Sequence, residues 1–333
     1  MPSEELQLLR NTADSFAQQA ISPRVNEIEE GGIPDDLLGQ LRAQGFYAAL
    51  IPQEAGGSGL DMQSYLALLH SISRVSPTVG ATMLYVNSVL GNALKKRVEL
   101  LSGIVQGSVK VSASPSIFYG TSDLSGPGGV LQVSNVLCPG GDYVILNDGG
   151  SLRLLSGRFT WEHRKALGMR SIGLASLRAE AFRTEDLGTS AQEVIEATDL
   201  PVAAVSLGIT EGAVQKAMDY SRVRTTFNVP LKDYEPVAQP LARIVATKDI
   251  LLQALMSADN PREALAVKVN ALELMKEAVR VALQVHGGYG YFRDFGVEKF
   301  YRDSAALTAM FSDTRNDMRR LASEVYGERA GFI

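Results

Sequence analysis

The residues whose types and spacing are best suited to binding a ligand lie near the C-terminus. They form a run that begins at Gln284 and contains Gly287, Gly288 and Gly290. The run follows a long apolar segment whose spacing predicts a helix. Glycine lets the backbone adopt positive φ and approach another group closely. Backbone amides exposed at a helix junction suit an anionic ligand such as a pyrophosphate. The same glycines are also typical of a helix C-cap followed by a sharp turn, so both interpretations stay open.

Composition limits the functions that this chain can have. Its 333 residues are too many for one simple core, so two or three domains are expected. The net charge of -5 argues against binding to nucleic acid, because there is no basic surplus to neutralise phosphates. The single cysteine, Cys138, excludes an internal disulfide and fits a reducing, cytoplasmic location. The polar, acidic N-terminus is unlike a signal peptide.

Two further classes of site are not expected. The segment 75–94 has no charged residue and is as long as a membrane span, but its many hydroxyl, amide and glycine residues favour a buried helix. The histidines His70, His163 and His286 are too far apart in sequence for a metal motif. His286 lies inside the glycine run, where we expect a spacer against a cofactor or partner. We therefore expect neither a membrane segment nor a metal centre.

Hydrophobic periodicity divides the chain into three regions. The first, residues 1–107, shows helical spacing, and helices are expected over residues 3–30, 34–45 and 62–75. The second, residues 108–190, has the rhythm of a small β domain, with strands expected over residues 108–113, 130–136, 143–146 and 152–155. Tight turns between the strands are indicated by Pro127-Gly-Gly, Pro139-Gly-Gly and Asn147-Asp-Gly-Gly.

The third region, residues 191–333, is helical again. Its first helix is expected from Asp199 and its second over residues 232–258. Apolar residues over 264–285 recur at alternating intervals of three and four, which is typical of an inner helix of a four-helix bundle. A fourth helix is expected over residues 297–326, with a break near Ser312.

Longer motifs add a resemblance to a known family. The run QVHGGYGYFRDFGVEKFYRD, residues 284–303, closely resembles the acyl-CoA dehydrogenase signature Q-x-x-G-G-x-G followed by V-E and R-D. Residues 51–61 resemble the P-x-E-x-G-G-x-G-L-D loop of that family, and residues 166–171 resemble its K-L-G-x-R-x-S run. Residues 224–228 resemble an R-x-x-F-G run in which Asn, which also tolerates positive φ, replaces glycine. Glu298 and Arg302, at i and i+4, are expected to form a structural ion pair.

This resemblance implies an α+β fold with an N-terminal helical domain (1–107), a small central β-barrel-like domain (108–190) and a C-terminal four-helix bundle (191–333). It also implies FAD, lying between the β domain of one subunit and the bundle of another in a homo-oligomer, either a dimer or a tetramer. The arginine of the R-x-x-F-G run grips the pyrophosphate in the family, a task that suits a guanidinium fork. By this resemblance, the bundle residues that contact FAD are Arg224, Thr226, Phe227, Gln284, Gly287, Gly288, Thr314 and Asn316.

The β-domain half of the FAD site departs from the family pattern. Family members carry a T-E-P-x-x-G-S-D run whose hydroxyls hydrogen-bond the flavin and its phosphates. The nearest match here extends from Ala113 to Asp123, with Ala113 in place of Thr, Ser114 in place of Glu, and extra residues between. A W-I-T-N run that follows in the family has no counterpart, and Trp161, the single tryptophan, lies elsewhere. We therefore expect a shortened β domain whose flavin contacts differ from those of the family.

The proton-abstracting base departs as well. Dehydrogenation needs a carboxylate that takes a proton from the carbon next to a thioester carbonyl. The family often supplies the Glu of a Y-E-G-T run, and the matching residues here, 311–314, place Ser312 at that position. Asp313 is next in line, and Asp199 lies beside a position that other members use. Each also has a plain interpretation, Asp313 as a helix cap and Asp199 as a charge at a helix N-terminus. In the family, the backbone N–H at position 312 helps to polarise the thioester carbonyl, and serine would retain that contact.

Three hypotheses follow. The first is a FAD-dependent acyl-CoA dehydrogenase-type oxidoreductase of fatty acid metabolism, which carries out α,β-dehydrogenation of an acyl-CoA thioester with Asp313 as the base. Its electron acceptor is not identified by the sequence. The alternative is a non-catalytic partner subunit of a mixed acyl-CoA dehydrogenase oligomer, in which this chain lends its bundle half-site to the FAD of a homologous subunit. The third is a related flavin enzyme with changed chemistry, because loss of the carboxylate leaves the fold intact.

Overall fold

The computed structural model of the chain describes residues 4–124 and 130–327. The N-terminal helices are α1 (Glu4–Phe16), α2 (Val25–Gly31), α3 (Asp35–Ala43), α4 (Met62–Val75), α5 (Pro77–Leu84), α6 (Gly91–Ala93) and α7 (Val98–Gln106). The helix expected over residues 3–30 is divided, because a π-helical turn, Ala17–Ile21, and a 3₁₀ turn, Ser22–Arg24, separate α1 from α2. The interruption contains Pro23, which has no amide hydrogen to continue the helical hydrogen bonds.

The uncharged segment 75–94 is mostly buried, as predicted. Its polar groups have partners inside the protein. Asn87 accepts a hydrogen bond from the Leu50 amide (2.9 Å) and donates to the carbonyl oxygens of Tyr47 (3.0 Å) and Met83 (2.8 Å). Over residues 4–124 and 130–327, no helix combines the length and the apolar character needed to cross a membrane.

The described strands of the central region close into a barrel, which confirms the predicted barrel-like fold. They are β1 (Val111–Ala113), β2 (Val130–Leu137), β3 (Tyr143–Asp148), β4 (Ser151–Arg164) and β5 (Leu174–Ser190), with a short helix, α8 (Ser116–Tyr119), after β1. The order around the barrel is β1-β2-β5-β4-β3, and only β1 and β3 pair in parallel.

The strands β4 and β5 extend well beyond the sequence prediction, which covers only residues 152–155 of β4 and none of β5. The distal half of β4 pairs with β5, but most of its side chains there are exposed. Alternation in that part of the chain is confined to Phe159 and Trp161, which are only partly buried against the barrel core, so the signal for a strand is short and weak. The predicted Pro127-Gly-Gly turn lies outside the described residues.

The C-terminal helices form a bundle, which confirms the prediction, and the predicted fourth helix is divided into two. They are α9 (Ala191–Val223), α10 (Glu235–Ser257), α11 (Pro261–His286), α12 (Val297–Phe311) and α13 (Thr314–Tyr326). A hairpin of β6 (Thr225–Thr226) and β7 (Val229–Pro230) follows α9. The break predicted near Ser312 separates α12 from α13, and Ser312 itself has an extended backbone.

The first bundle helix begins at Ala191, not near Asp199 as predicted. Ser190 and Glu193 form a capping box: the Ser190 hydroxyl accepts from the Glu193 amide, and the Glu193 carboxylate accepts from the Ser190 amide. Asp199 and Pro201 are residue types typical of a helix start, but both lie inside α9. Asp199 is also buried, so it is not a charge at a helix N-terminus.

Polar contacts join the three regions at the end of the signature run. Asp303 accepts a hydrogen bond from the Met169 amide of the barrel region (2.7 Å). Arg302 donates to Glu29 of the N-terminal helices and pairs with Glu298 at 3.1 Å, as predicted. The arginine–aspartate pair therefore holds the barrel region and the N-terminal helices against α12, which is a structural role.

Candidate functional site

The glycine run forms the end of α11 and a 3₁₀ turn, Gly287–Tyr291. Gly287 has a φ of +55°, but Gly288 and Gly290 do not have positive φ, so that expectation is wrong for these two. A Cβ atom on Gly290 would lie 3.0 Å from the Leu283 carbonyl oxygen, whereas one on Gly288 would meet no atom within 4 Å. Within residues 4–124 and 130–327 no contact accounts for glycine at position 288, and its exposed backbone is open to an outside group.

His286 packs inside the chain and is not the spacer against a cofactor or partner that we expected. Its ring stacks on Tyr220 of α9 at 4.4 Å, and Nδ1 lies 2.8 Å from the Ala282 carbonyl oxygen. Burial lowers the pKa of His286 below its ordinary value, which favours the neutral ring with Nδ1–H as the donor. The histidine therefore anchors the glycine turn to α9. Within the described part of the chain, no group of side chains is suited to hold a metal ion.

The hairpin after α9 brings Arg224 next to the glycine turn. The Arg224 guanidinium carbon lies 5.7 Å from the centre of the Tyr289 ring, and in the described ranges it has no acidic partner. Phe227 and Asn228 at the hairpin tip both have positive φ, as a two-residue hairpin turn with a type I′ backbone requires. Phe227 is 93% exposed.

Six of the predicted FAD contacts thus lie at this end of the bundle. Thr226 is in the hairpin, where its carbonyl oxygen accepts from the Tyr234 hydroxyl (2.8 Å). Gln284 is exposed in the last turn of α11. We call Arg224, Gln284, Gly287 and Gly288 the bundle half-site. The other predicted contacts, Thr314 and Asn316, form a second group in the first turn of α13.

Asp313, the predicted base, caps α13. Its Oδ1 atom accepts hydrogen bonds from the amides of Arg315 (3.0 Å) and Asn316 (3.3 Å). The plain interpretation of this residue as a helix cap is therefore correct. Asp313 also lines a cavity of about 610 Å³ between α11, α12 and the loop that joins α12 to α13, which we call the loop cavity.

Ser312 also lines the loop cavity but is itself buried. Its hydroxyl donates to Asp317 Oδ2 (2.5 Å), and its amide donates to the Thr308 carbonyl oxygen (3.2 Å). The amide expected to polarise a thioester carbonyl is therefore occupied by the end of α12. Neither the position of Asp317 nor its hydrogen bond with the serine hydroxyl is predicted by the sequence.

Asp317 belongs to a buried ion cluster that also contains the second candidate base, Asp199. The Lys268 ammonium lies 2.9 Å from Asp317 and 3.1 Å from Asp199, and Arg320 pairs with Asp199 at 2.7 Å. Lys268, Asp199 and Asp317 are almost completely buried. Asp199 is thus committed to two cations inside the bundle. The signal that could have revealed the cluster is Lys268 itself, a lysine on the apolar stripe of α11.

Two serine hydroxyls in the barrel loop after β1 are bonded to a carboxylate of the same loop. Asp123 accepts hydrogen bonds from the hydroxyls of Ser114 (2.9 Å) and Ser116 and from the Asn147 amide (2.9 Å). Burial raises the pKa of Asp123, although these hydrogen bonds oppose that effect. The position of the family's threonine is occupied by Ala113, which has no hydroxyl, and the nearby hydroxyls of Ser114 and Ser116 are already bonded to Asp123.

The same loop reaches across to the bundle. The Tyr119 hydroxyl donates to the Ala309 carbonyl oxygen near the end of α12. The Phe118 ring packs edge-on against Phe311, with 6.0 Å between ring centres. Tyr119 also lines the loop cavity, so the barrel loop forms one of its walls.

Comparison with known proteins finds matches to one protein family. Residues 3–97 match the family model of the acyl-CoA dehydrogenase N-terminal domain, and residues 189–315 match that of the acyl-CoA dehydrogenase C-terminal domain. A caffeyl-CoA reductase-Etf complex subunit, CarC, of Acetobacterium woodii is 26% identical over 362 aligned positions, covering 92% of this chain and 94% of that protein. A 3-(aryl)acrylate reductase of Clostridium sporogenes is 24% identical and covers 90% of this chain and 93% of that protein.

Solved structures share the fold. Butyryl-CoA dehydrogenase from Megasphaera elsdenii has a TM-score of 0.82 at 17% identity, covering 98% of this chain and 99% of that one. A glutaryl-CoA dehydrogenase from Mycobacterium smegmatis, in complex with FADH2, has a TM-score of 0.83 at 12% identity, covering 99% and 96%. At these identities the likeness concerns the fold alone.

Proposed function

Because the chain belongs to the acyl-CoA dehydrogenase family, which is FAD-binding, we propose that it is a partner subunit of a mixed acyl-CoA oxidoreductase. In this proposal its bundle half-site completes a FAD site on a homologous chain, and that second chain carries the base. One observation carries the proposal, namely the contrast between an exposed bundle half-site and a barrel loop in which Ala113 replaces the family's threonine and the hydroxyls of Ser114 and Ser116 are bonded to Asp123.

The bundle half-site fits the phosphates of FAD. Arg224 is exposed, without an acidic partner in the described segments, so its guanidinium fork is available to a pyrophosphate. Gly288 presents open backbone on the same end of the bundle. When bound there, FAD would supply the hydride-accepting chemistry, and the residues of this chain would hold and orient its phosphates.

The barrel side does not fit a flavin in the same way. The hydroxyls of Ser114 and Ser116 donate hydrogen bonds to Asp123, and freeing them would leave a partly buried carboxylate short of donors. Tyr119 fixes this loop to α12. We therefore place the flavin-holding barrel on the second chain and derive no catalytic step at the barrel of this one.

The carboxylates near the loop cavity support the same assignment. Abstraction of a proton next to a thioester carbonyl needs a carboxylate that can reach the substrate. Asp317 is buried behind Ser312 and paired with Lys268, and Asp199 is bound to Lys268 and Arg320. Neither is placed to act as the base.

A second candidate function is a homo-oligomeric dehydrogenase in which Asp313 is the base. The observation that favours it is that Asp313 lines the loop cavity, beside Tyr119. Burial raises the pKa of the Tyr119 phenol, and the Asp313 carboxylate raises it further. In that case the hydrogen bonds that Asp313 accepts from the α13 amides would have to break during catalysis.

Expression of the chain alone, and with a full-length homologous subunit, tests the proposal. We expect a colourless protein alone and a yellow complex with the homologue, which acyl-CoA bleaches. Arg224→Gln should lower the FAD content of the complex at least tenfold, whereas Arg222→Gln, an exposed neighbour paired with Asp219, should not. A yellow protein obtained alone that acyl-CoA bleaches, with bleaching lost in Asp313→Asn, would favour the second candidate.

A further inference from the structure

The surface of α11 carries an arginine that neither the family motifs nor the bundle half-site includes. Arg280 is exposed, and in residues 4–124 and 130–327 its guanidinium has neither an ion pair nor a hydrogen bond. It lies one helical turn before Gln284, so the two side chains share a face of α11. Lys276, one turn earlier again, is paired with Glu273 at 2.7 Å.

Arg280 also lines the loop cavity, together with Thr314. Arg280 is therefore adjacent to both groups of predicted FAD contacts, the bundle half-site through Gln284 and the α13 group through Thr314. Lys276 and Asp313 are the other charged residues that line this cavity, so its lining has a net charge of +1. A cavity with this charge and an uncommitted guanidinium suits an anionic ligand.

We propose that Arg280 binds a phosphate group of an adenine nucleotide that extends from the bundle half-site into the loop cavity. This inference rests on the proposed function, because it assigns a further phosphate contact to the nucleotide that the half-site holds. Both FAD and CoA contain a pyrophosphate attached to adenosine, so the shared chemistry is that of ADP. Arg224, just after the end of α9, and Arg280, on α11, would then bind the same ligand.

The competing explanation is that Arg280 is a solvated surface arginine that binds no ligand. The chain provides a matched control that tests this explanation. Arg262 is also exposed on α11, and in the described part of the chain it too has neither an ion pair nor a hydrogen bond. It lies 18 residues before Arg280, about 27 Å along the helix axis, and is not among the residues that line the loop cavity. Substitution of either arginine by glutamine removes the same charge from the same helix.

Titration of the purified full chain with ADP and, separately, with CoA tests the assignment. Wild type is compared with Arg280→Gln, Arg224→Gln and Arg262→Gln at low salt, and the thermal unfolding midpoint of each variant is checked for an intact fold. We expect Arg280→Gln and Arg224→Gln each to weaken ADP binding about tenfold, and Arg262→Gln to leave it within twofold. Binding should weaken as salt is raised, and less steeply in Arg280→Gln.

The outcomes separate this inference from the proposed function. Unchanged ADP binding in Arg280→Gln, with loss in Arg224→Gln, overturns the role of Arg280 and leaves the half-site standing. An equal loss of ADP affinity in Arg280→Gln and Arg262→Gln would mean that the effect depends only on net charge. That result also overturns the role of Arg280. A loss confined to CoA would assign the cavity to the 3′-phosphate of CoA instead of the shared pyrophosphate. Wild type that binds neither nucleotide at millimolar concentration counts against both proposals.

Discussion

At the scale of single residues, the bundle interior is specified by charge as well as by apolar packing. Lys268 projects from α11 into a region where carboxylates of α9 and α13 meet it, and the cluster is neutral with two cations and two anions. Ser312 is tied to this cluster through Asp317. The loop between α12 and α13 is therefore held to the bundle interior through the Ser312 side chain.

Substitution of Lys268 should strongly lower the stability of the fold. Lys268→Met keeps most of the volume but leaves Asp199 and Asp317 without their shared cation, so we expect the free energy of unfolding to fall by about 3–5 kcal/mol. Urea denaturation measures it. The matched variant Lys276→Met breaks only the exposed pair with Glu273 and should cost less than about 1 kcal/mol. Equal small losses in both variants would mean that the cluster contributes little.

The roles of individual residues could be predicted from the sequence only within the family motifs. The family resemblance predicted Arg224 and the glycine turn as neighbours, and they are adjacent, although their contact with FAD remains a prediction. The partner of Ser312 could not be predicted, because it depends on how α13 is turned against α11. Asp313 had two interpretations in the sequence, and only the backbone geometry could show its hydrogen bonds to α13.

At the scale of elements, the segment between β4 and β5 is fixed by close backbone contact with α12. A Cβ atom on Gly168 would lie 2.3 Å from the Arg302 carbonyl oxygen and 2.6 Å from the Asp303 amide nitrogen. Neither backbone atom can move without disturbing the Asp303 bond to Met169. The resemblance of residues 166–171 to a family motif thus has a packing explanation within this chain.

Gly168→Ala should therefore loosen the barrel from the bundle. We expect a loss of about 1–3 kcal/mol in the free energy of unfolding, which is typical of overpacking against a rigid neighbour. Gly39→Ala is the control, because its Cβ would meet no atom within 4 Å inside α3 and should stabilise the chain by about 0.5–1 kcal/mol. The contrast in sign is measured by thermal or urea unfolding, and a stabilised Gly168→Ala would contradict the argument.

Element types were predictable where burial alternated regularly, and element ends were not. The break at Ser312 followed from the sequence, but the start of α9 depends on a capping box that competed with the signal of Asp199 and Pro201. Most of β4 and all of β5 escaped prediction because long paired strands there carry many exposed side chains. In such strands the backbone pairing, and not side-chain burial, sets the length.

At the scale of the whole molecule, the order of helical, β and helical regions was visible in the sequence, but the exposed surface of the bundle end was not. Phe227, Tyr291 and Phe292 are 93%, 84% and 55% exposed, and they lie in the hairpin and the turn that frame the bundle half-site. Exposed aromatic residues in such numbers are characteristic of a surface that another protein covers. Phe227 also has a φ of +48°, which is unfavourable for an aromatic residue, so the backbone conformation does not explain an aromatic side chain at this position.

Phe227→Asn should therefore change stability and assembly in opposite directions. Asparagine tolerates positive φ at a hairpin tip, so we expect the free energy of unfolding of the isolated chain to rise by about 0.5–1 kcal/mol. The same change removes an aromatic contact from the proposed subunit interface and should weaken association with the homologous chain, measured by native mass spectrometry. Leu8→Gln alters another exposed apolar side chain, in α1, and should leave association unchanged. A variant that is more stable and assembles as well as wild type would show that this tip faces solvent in the oligomer.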